Sequence, residues 1–212
     1  MISITYICLI IYEIYVVYIK FFIFALWQVY GSYSNKQYEN IETIFLGSHN
    51  NIKFQIHKEY TKASVPINGK LISNANGKFS TLANYIFGGN TESTSISMTA
   101  PVLYDFNNNS TFSFVMPSHY KQNNLPSPNT EEIFFKTELN QCFASIQFGG
   151  FVNDKICQIK YNELKKILVS LKISFNKNFT LAVYNSPYQL INRKNEIWIE
   201  VRREEVLKNL NI

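Results

Sequence analysis

Between residues 52 and 201 one order of local patterns occurs twice, and that repetition restricts the fold more than any other feature. Ile52 to Ile56 alternates apolar and polar side chains as a half-buried strand does, and a weaker strand follows over 61–67. Phe79, Leu82, Ala83 and Ile86 then fall at i, i+3, i+4 and i+7, one face of a helix with Asn76 as its N-cap and Gly88-Gly89 as its stop. Strands over 96–106 and 111–116 turn about Asn107-Asn108-Asn109. The second pass has strands over 133–136 and 142–148, a break at Gly149-Gly150 and a longer helix starting near Asp154. That helix carries Leu164, Ile167, Leu168 and Leu171 on one face, and strands over 180–184 and 196–201 complete the unit. Leu125-Pro126-Ser127-Pro128 separates the copies, because proline has no amide to give to a central ladder. A duplicated ββαββ unit predicts an α+β fold of antiparallel strands carrying two helices.

The chain of 212 residues has room for one such domain and an extension. The extension is residues 1–30, where Glu13 and Lys20 are the charges in a stretch of Ile, Leu, Val, Phe, Tyr and Trp. About 20 mostly apolar residues cross a bilayer. A hydrophobic helix here is therefore expected to be a membrane anchor with Lys20 reaching toward an interface, or a recessed signal sequence ending near Val29 and Gly31. Either reading places the protein at a membrane or in a secretory route. Residues 31–51 turn polar and read as a linker, residues 52–203 form the domain, and 204–212 are a tail.

A net charge of +5 without an arginine-rich stripe gives no footprint for nucleic acid. It leaves open acidic partners such as propionates or an anionic membrane face. Cys8, Cys142 and Cys157 have neither zinc spacing nor the Cys-x-x-Cys-His of covalent heme attachment. His49, His57 and His119 stand in no metalloprotease or nucleophile-elbow context, so the chain is not expected to be an enzyme.

Five strings stand in order along the domain: Tyr85-Ile86-Phe87-Gly88-Gly89-Asn90; Ile96-Ser97-Met98-Thr99-Ala100-Pro101-Val102; Phe114-Val115-Met116-Pro117; Phe148-Gly149-Gly150; and Tyr184-Asn185-Ser186-Pro187 followed by Asn195-Glu196-Ile197-Trp198. Together they resemble the SOUL heme-binding protein family over about Ile52 to Val201. The resemblance implies a distorted antiparallel β-barrel flanked by two helices. It also implies non-covalent, reversible binding of heme or protoporphyrin, as carrier, buffer or sensor. By position in the family, the tetrapyrrole would lie on Phe79, Leu82, Ala83 and Ile86 of the first helix and on Pro187, Tyr188 and Leu190 between the last two strands. Lys78, Arg193 and Lys194 would face the propionates, and His57, at the end of the first strand, would be the iron ligand if any side chain is. Asn76 and Asn84 stand where relatives often carry basic residues, which weakens the expected clamp. The same architecture resembles effector-binding domains. Two rival readings therefore stand: a module for another flat amphipathic ligand or a protein partner, and a hydrolase using Glu196.

Overall fold

A computed structural model describes residues 4–35, 38–69, 72–75, 77–186 and 188–210, with side chains described for all of these except 4–11, 29–35 and 74. The first repeat contributes β3 (Ile52–His57), β4 (Tyr60–Pro66), α2 (Lys78–Ile86), β6 (Val102–Phe106) and β7 (Thr111–Val115). The second contributes β8 (Phe134–Glu138), β9 (Gln141–Phe148), α3 (Asp154–Ser170), β10 (Phe179–Val183) and β11 (Asn195–Glu200). Before them stand α1 (Ile4–Asn35), β1 (Glu39–Asn40) and β2 (Thr43–His49); β5 (Thr99–Ala100) precedes β6, and α4 (Arg203–Leu210) closes the described chain.

Nine strands form one curled sheet in the order β2-β3-β9-β11-β10-β6-β7-β4-β8. The order from β3 to β8 is symmetric about the β10–β6 pair, where Phe179 lies opposite Phe106 and Val183 opposite Val102. The opening strand of each repeat is exchanged: β3 pairs with β9 of the second repeat, and β8 pairs with β4 of the first. Alternation along the strands explains the two faces. Leu181, Ile197, Ile199, Ala144 and Ile146 turn to one side, where they pack with Cys157, Leu164 and Leu168 of α3. Phe112, Phe114, Ala63 and Val65 pack in the same way with Leu82, Tyr85 and Ile86 of α2. The intervening residues Leu103, Val115, Phe143, Ala182 and Trp198 meet one another from both arms of the curl and form a third, inner cluster.

Three boundaries differ from the sequence expectation. The 31–51 run is more than a linker: α1 continues to Asn35, and Thr43–His49 pairs along β3, interrupted by an irregularity at Phe45/Gly47. Backbone hydrogen bonding to an available edge outweighs the polar composition there. The tail is also structured, because Val206 of α4 is fully buried against the α3 side of the sheet. Asn76, the expected N-cap, lies outside the described residues; the N-cap position of α2 is Gly77, at φ 83°, a conformation glycine adopts without a Cβ clash.

Among the described residues no helix is long and apolar enough to cross a membrane. The described part of α1 nevertheless exposes Tyr12, Tyr15, Tyr18, Phe21, Phe22, Ile23 and Trp27. Its end is fastened to the domain by Gln28, which is buried. The Gln28 amide nitrogen donates to the Tyr188 carbonyl at 3.3 Å, and its oxygen accepts from the Leu190 amide at 2.8 Å.

Candidate functional site

The motif after α2 is a folded turn whose purpose is visible in its hydrogen bonds. Gly88 sits at φ 102°, and Asn90, buried at the end of the turn, donates to the carbonyls of Tyr85 (3.0 Å) and Thr94 (2.7 Å) while accepting from the Thr94 amide (3.0 Å). The turn leads the chain back so that Met98 and Thr99 pass beside the start of α2. Thr99 then donates its hydroxyl to the Val115 carbonyl at 2.6 Å, which ties this segment to β7. In the late motif, Asn195 Nδ2 donates to the Gly150 carbonyl at 2.9 Å, so the Phe-Gly-Gly turn and the Asn-Glu-x-Trp strand brace each other.

A cleft of about 320 Å³ lies at the Val102/Val183 end of the central strand pair. It is lined by Phe79 and Phe87 from α2 and its end, by Met98, Thr99, Ala100 and Val102, by Val183 to Ser186, and by Tyr38. Tyr38 is held there because β1 runs parallel to β5, with Glu39 opposite Thr99. Phe79 is 44% exposed and Phe87 71% exposed, so the walls present aromatic rings to an incoming molecule. Size and lining fit a small-molecule site.

The structure brings the first helix and the loop between the last two strands to one cleft, but through partly different side chains. Phe79 lines it. Leu82 and Ile86 are sealed in the core beneath α2, and Ala83 is half-buried against the same core, because the i, i+3, i+4 stripe is the one that packs on the sheet. Pro187 lies outside the described residues. Tyr188 and Leu190 are exposed on the far side of the loop, and the Tyr188 ring lies 6.2 Å from that of Trp27 of α1. Phe87, Met98, Val102, Val183 and Tyr184 line the cleft without having been singled out as ligand contacts, although Met98 and Tyr184 stand inside the motif strings.

The three cations expected at the propionates are engaged elsewhere. Arg193 is buried; its Nη1 donates to the carbonyls of Ser186 (2.9 Å) and Gln189 (2.6 Å), and its guanidinium lies 4.6 Å over the Phe151 ring. Arg193 thus fixes the loop that borders the cleft. Lys194 sits 3.7 Å over the Tyr184 ring and pairs with Glu196 at 3.1 Å, and Lys78 pairs with Glu132 at 3.1 Å. The polar groups at the cleft itself are those of Tyr38, Thr99, Tyr184, Asn185 and Ser186.

His57 does not line the cleft. It is 1% exposed on the inner face of the sheet, between the rings of Phe143 (4.7 Å) and Trp198 (4.4 Å). Burial lowers its pKa from 6.5 to about 4, against the raising effect of Glu196. Its Nε2 is 2.8 Å from the Gln55 amide nitrogen, and its Nδ1 is buried without a partner. The register of β3 turns this side chain inward, so it is a neutral core imidazole rather than an iron ligand of the cleft. Among the described residues neither a histidine nor a cysteine lines the cleft, and no group of three metal-ligating side chains occurs.

The rest of the inner face carries a paired charge network around a cavity of about 180 Å³. Lys62 bridges Asp105 (2.7 Å) and Glu138 (2.8 Å), and Asp105 also accepts from Thr180 at 2.6 Å. Burial opposes the Lys62 charge, but the two carboxylates outweigh it and raise its pKa; Lys62 in turn holds Asp105 low against the upward push of burial. Glu196 accepts from Tyr184 Oη (3.0 Å) and Trp198 Nε1 (2.7 Å) in addition to its pairing with Lys194.

Residues 34–200 match the SOUL heme-binding protein family. The chain is similar to heme-binding protein 2 of Mus musculus, 31% identical over 140 residues that span 62% of this chain and 68% of the mouse protein. Heme-binding protein 2 of Homo sapiens matches at the same identity and coverage. Among solved structures, the EcmrR C-terminal domain superposes with a TM-score of 0.56 at 10% identity, covering 75% of this chain and 98% of that domain. A hydrolase from Listeria innocua does so with a TM-score of 0.50 at 8% identity, covering 74% and 94%. These distant likenesses show the fold alone. The order of the motifs, the duplicated sheet and the family match agree, and the chain belongs to the SOUL heme-binding protein family.

Proposed function

We propose that the chain binds a tetrapyrrole reversibly and without a covalent link in the cleft beside α2, as a carrier, buffer or sensor held at a membrane through α1. The observation that carries this reading is the cleft itself: exposed aromatic walls from Phe79 and Phe87 face an apolar floor of Met98, Ala100, Val102 and Val183. A flat macrocycle gains about 25 cal/mol for each Å² of apolar surface it buries there. The apolar lining suits one face of a flat macrocycle. It does not supply histidine ligation, so heme and metal-free protoporphyrin should bind alike, by shape and apolar contact. The hydroxyls of Ser186 and Tyr38 would take the place of a cation clamp at the carboxylates, since the Asn185 amide is engaged by Gln189 and Lys194. Bound heme would supply the iron chemistry; the protein's own part is to hold and shield one face of the ring.

The test is titration of the full chain with hemin and with metal-free protoporphyrin. Wild type should bind both with similar affinity, and Phe79→Asp should weaken each by about tenfold or more, roughly 1.4 kcal/mol. Phe79 is 44% exposed but its ring also packs on the buried Phe112 and Phe114, so thermal melting of the ligand-free variant must show that the fold is kept. Unchanged affinity in the folded variant removes the tetrapyrrole from this cleft. The competing reading of Glu196 as a hydrolytic base is disfavoured, because its side chain is buried, both Tyr184 and Trp198 donate to Oε2, and Lys194 pairs with Oε1, an arrangement that braces the strand.

Support for membrane association is the exposed apolar surface of α1, reinforced at its domain end by Trp27, Tyr188, Leu190 and Ile191, all exposed. Aromatic side chains of this kind settle at the level of lipid headgroups.

A further inference from the structure

The central strand pair has a second end. At the Val102/Val183 end lies the cleft already described, and at the Phe106/Phe179 end lies another, of about 560 Å³, beside α3. The pseudo-twofold axis between β6 and β10 relates the two. In the first, α2 faces the start of β6 and the end of β10. In the second, α3 faces the end of β6 and the start of β10, with Lys177 and Asn178 leading into it.

The second cleft has its own chemistry. Its wall is a run of rings: Phe106 to Phe179 at 4.9 Å, and Phe179 to Tyr161 at 4.8 Å in a stacked arrangement. Tyr161 is held in place by its hydroxyl, which donates to the Lys177 carbonyl at 3.0 Å. Lys155 and Lys177 line the same cleft, and both are exposed. Neither ammonium has an ion-pair or hydrogen-bond partner among the described residues, whereas Lys78, Arg193 and Lys194 are engaged and do not line the first cleft. The Asp154 carboxylate at the rim accepts from the Ile72 amide at 2.8 Å. Phe106 is buried beneath the partly exposed rings of Phe179 and Tyr161, which stand next to two free cations. That pairing selects a flat aromatic molecule with acidic substituents: the exposed ring surface takes its face and the ammoniums take its carboxylates.

The geometry points to a second binding site, specific for planar aromatic carboxylic acids and independent of the cleft beside α2. A tetrapyrrole is itself a flat aromatic dicarboxylic acid, so a smaller acid is the probe, and Phe79→Asp separates this cleft from the one beside α2.

The experiment uses the full chain and pyrene-1-carboxylate, followed by fluorescence anisotropy, with uncharged pyrene-1-methanol in parallel. The acid should bind saturably and at least tenfold more tightly than the alcohol. The double substitution Lys155→Glu, Lys177→Glu should lower affinity for the acid by tenfold or more, at an unchanged thermal midpoint, since both side chains are exposed. A charge-matched control on the exposed side of α3, Lys165→Glu with Lys166→Glu, should bind as wild type does. Ring resonances of Tyr161 and Phe179 should shift on addition of the acid. Absence of saturable binding, equal affinity in the two double variants, or binding that disappears with Phe79→Asp instead would overturn the proposal.

Discussion

Acidification from pH 7 to pH 5 should destabilise this domain through one side chain, His57. The imidazole is 1% exposed between Phe143 and Trp198, and its pKa falls from 6.5 to about 4 because burial disfavours the cation. In the unfolded chain it protonates near 6.5, so between those two values the unfolded state holds more protons and stability rises with pH. The stabilisation is complete above the unfolded value and is lost as pH falls toward the folded one. At about 1.36 kcal/mol per unit, the loss is about 2 kcal/mol by pH 5 and about 3 kcal/mol by pH 4. The depressed carboxylates act in a lower window, since Asp105 and Glu138 start from ordinary values of 3.8 and 4.5 and move down. Urea unfolding of wild type and His57→Phe at pH 7, 6 and 5 separates the two effects, because phenylalanine fills the same aromatic slot and cannot titrate. The variant should lose little stability over this range while wild type loses about 2 kcal/mol. Parallel curves for the two proteins would refute the assignment, as would a His57 imidazole resonance, identified by its loss in His57→Phe, that titrates near 6.5.

Lys62→Met should cost about 3–5 kcal/mol, because it leaves Asp105 and Glu138 facing each other in the inner network without their shared cation. Chemical denaturation measures it, and a loss under 1 kcal/mol would show that solvent reaches the pair. Membrane association through α1 is tested by flotation with phosphatidylcholine vesicles: the full chain should float, and a chain starting at Tyr38 should stay in the dense fraction while keeping its thermal midpoint within a few degrees. Sedimentation of both chains would contradict the tether.

What was legible in the sequence is local in origin. The stripe Leu82, Ile86 and the stripe Leu164, Leu168 mark the buried faces of α2 and α3, because helical period and core burial coincide. The glycine and asparagine of the first motif announce the turn at Gly88 and Asn90 for the same reason. The partner of a strand is a non-local fact, and no residue in Ile52–His57 reports that β9 rather than β4 lies beside it. The candidate site suffered in proportion. The inward register of His57, the pairing of Lys78 with Glu132, and the closure of Arg193 onto its own loop all depend on neighbours distant in sequence or on loop conformation. Met98 was present in a motif, yet its exposure to the cleft follows from where β5 meets β1, which composition does not encode.

The exchange of β3 and β8 between the repeats constrains how the protein is made. As the chain leaves the ribosome, the whole first repeat emerges before β9 exists, so β3 waits with one edge open to any other extended chain. β4 likewise has only β7 until β8 arrives. Neither repeat closes its own sheet, so the nine-stranded order is complete only once β9 and β11 have been synthesised. Two separate half-length chains would meet the same requirement by trading their first strands, as an intertwined dimer. The segment from Leu125 to Pro128 therefore does more than join two similar units: it converts what would be a second-order encounter into a first-order one, independent of concentration.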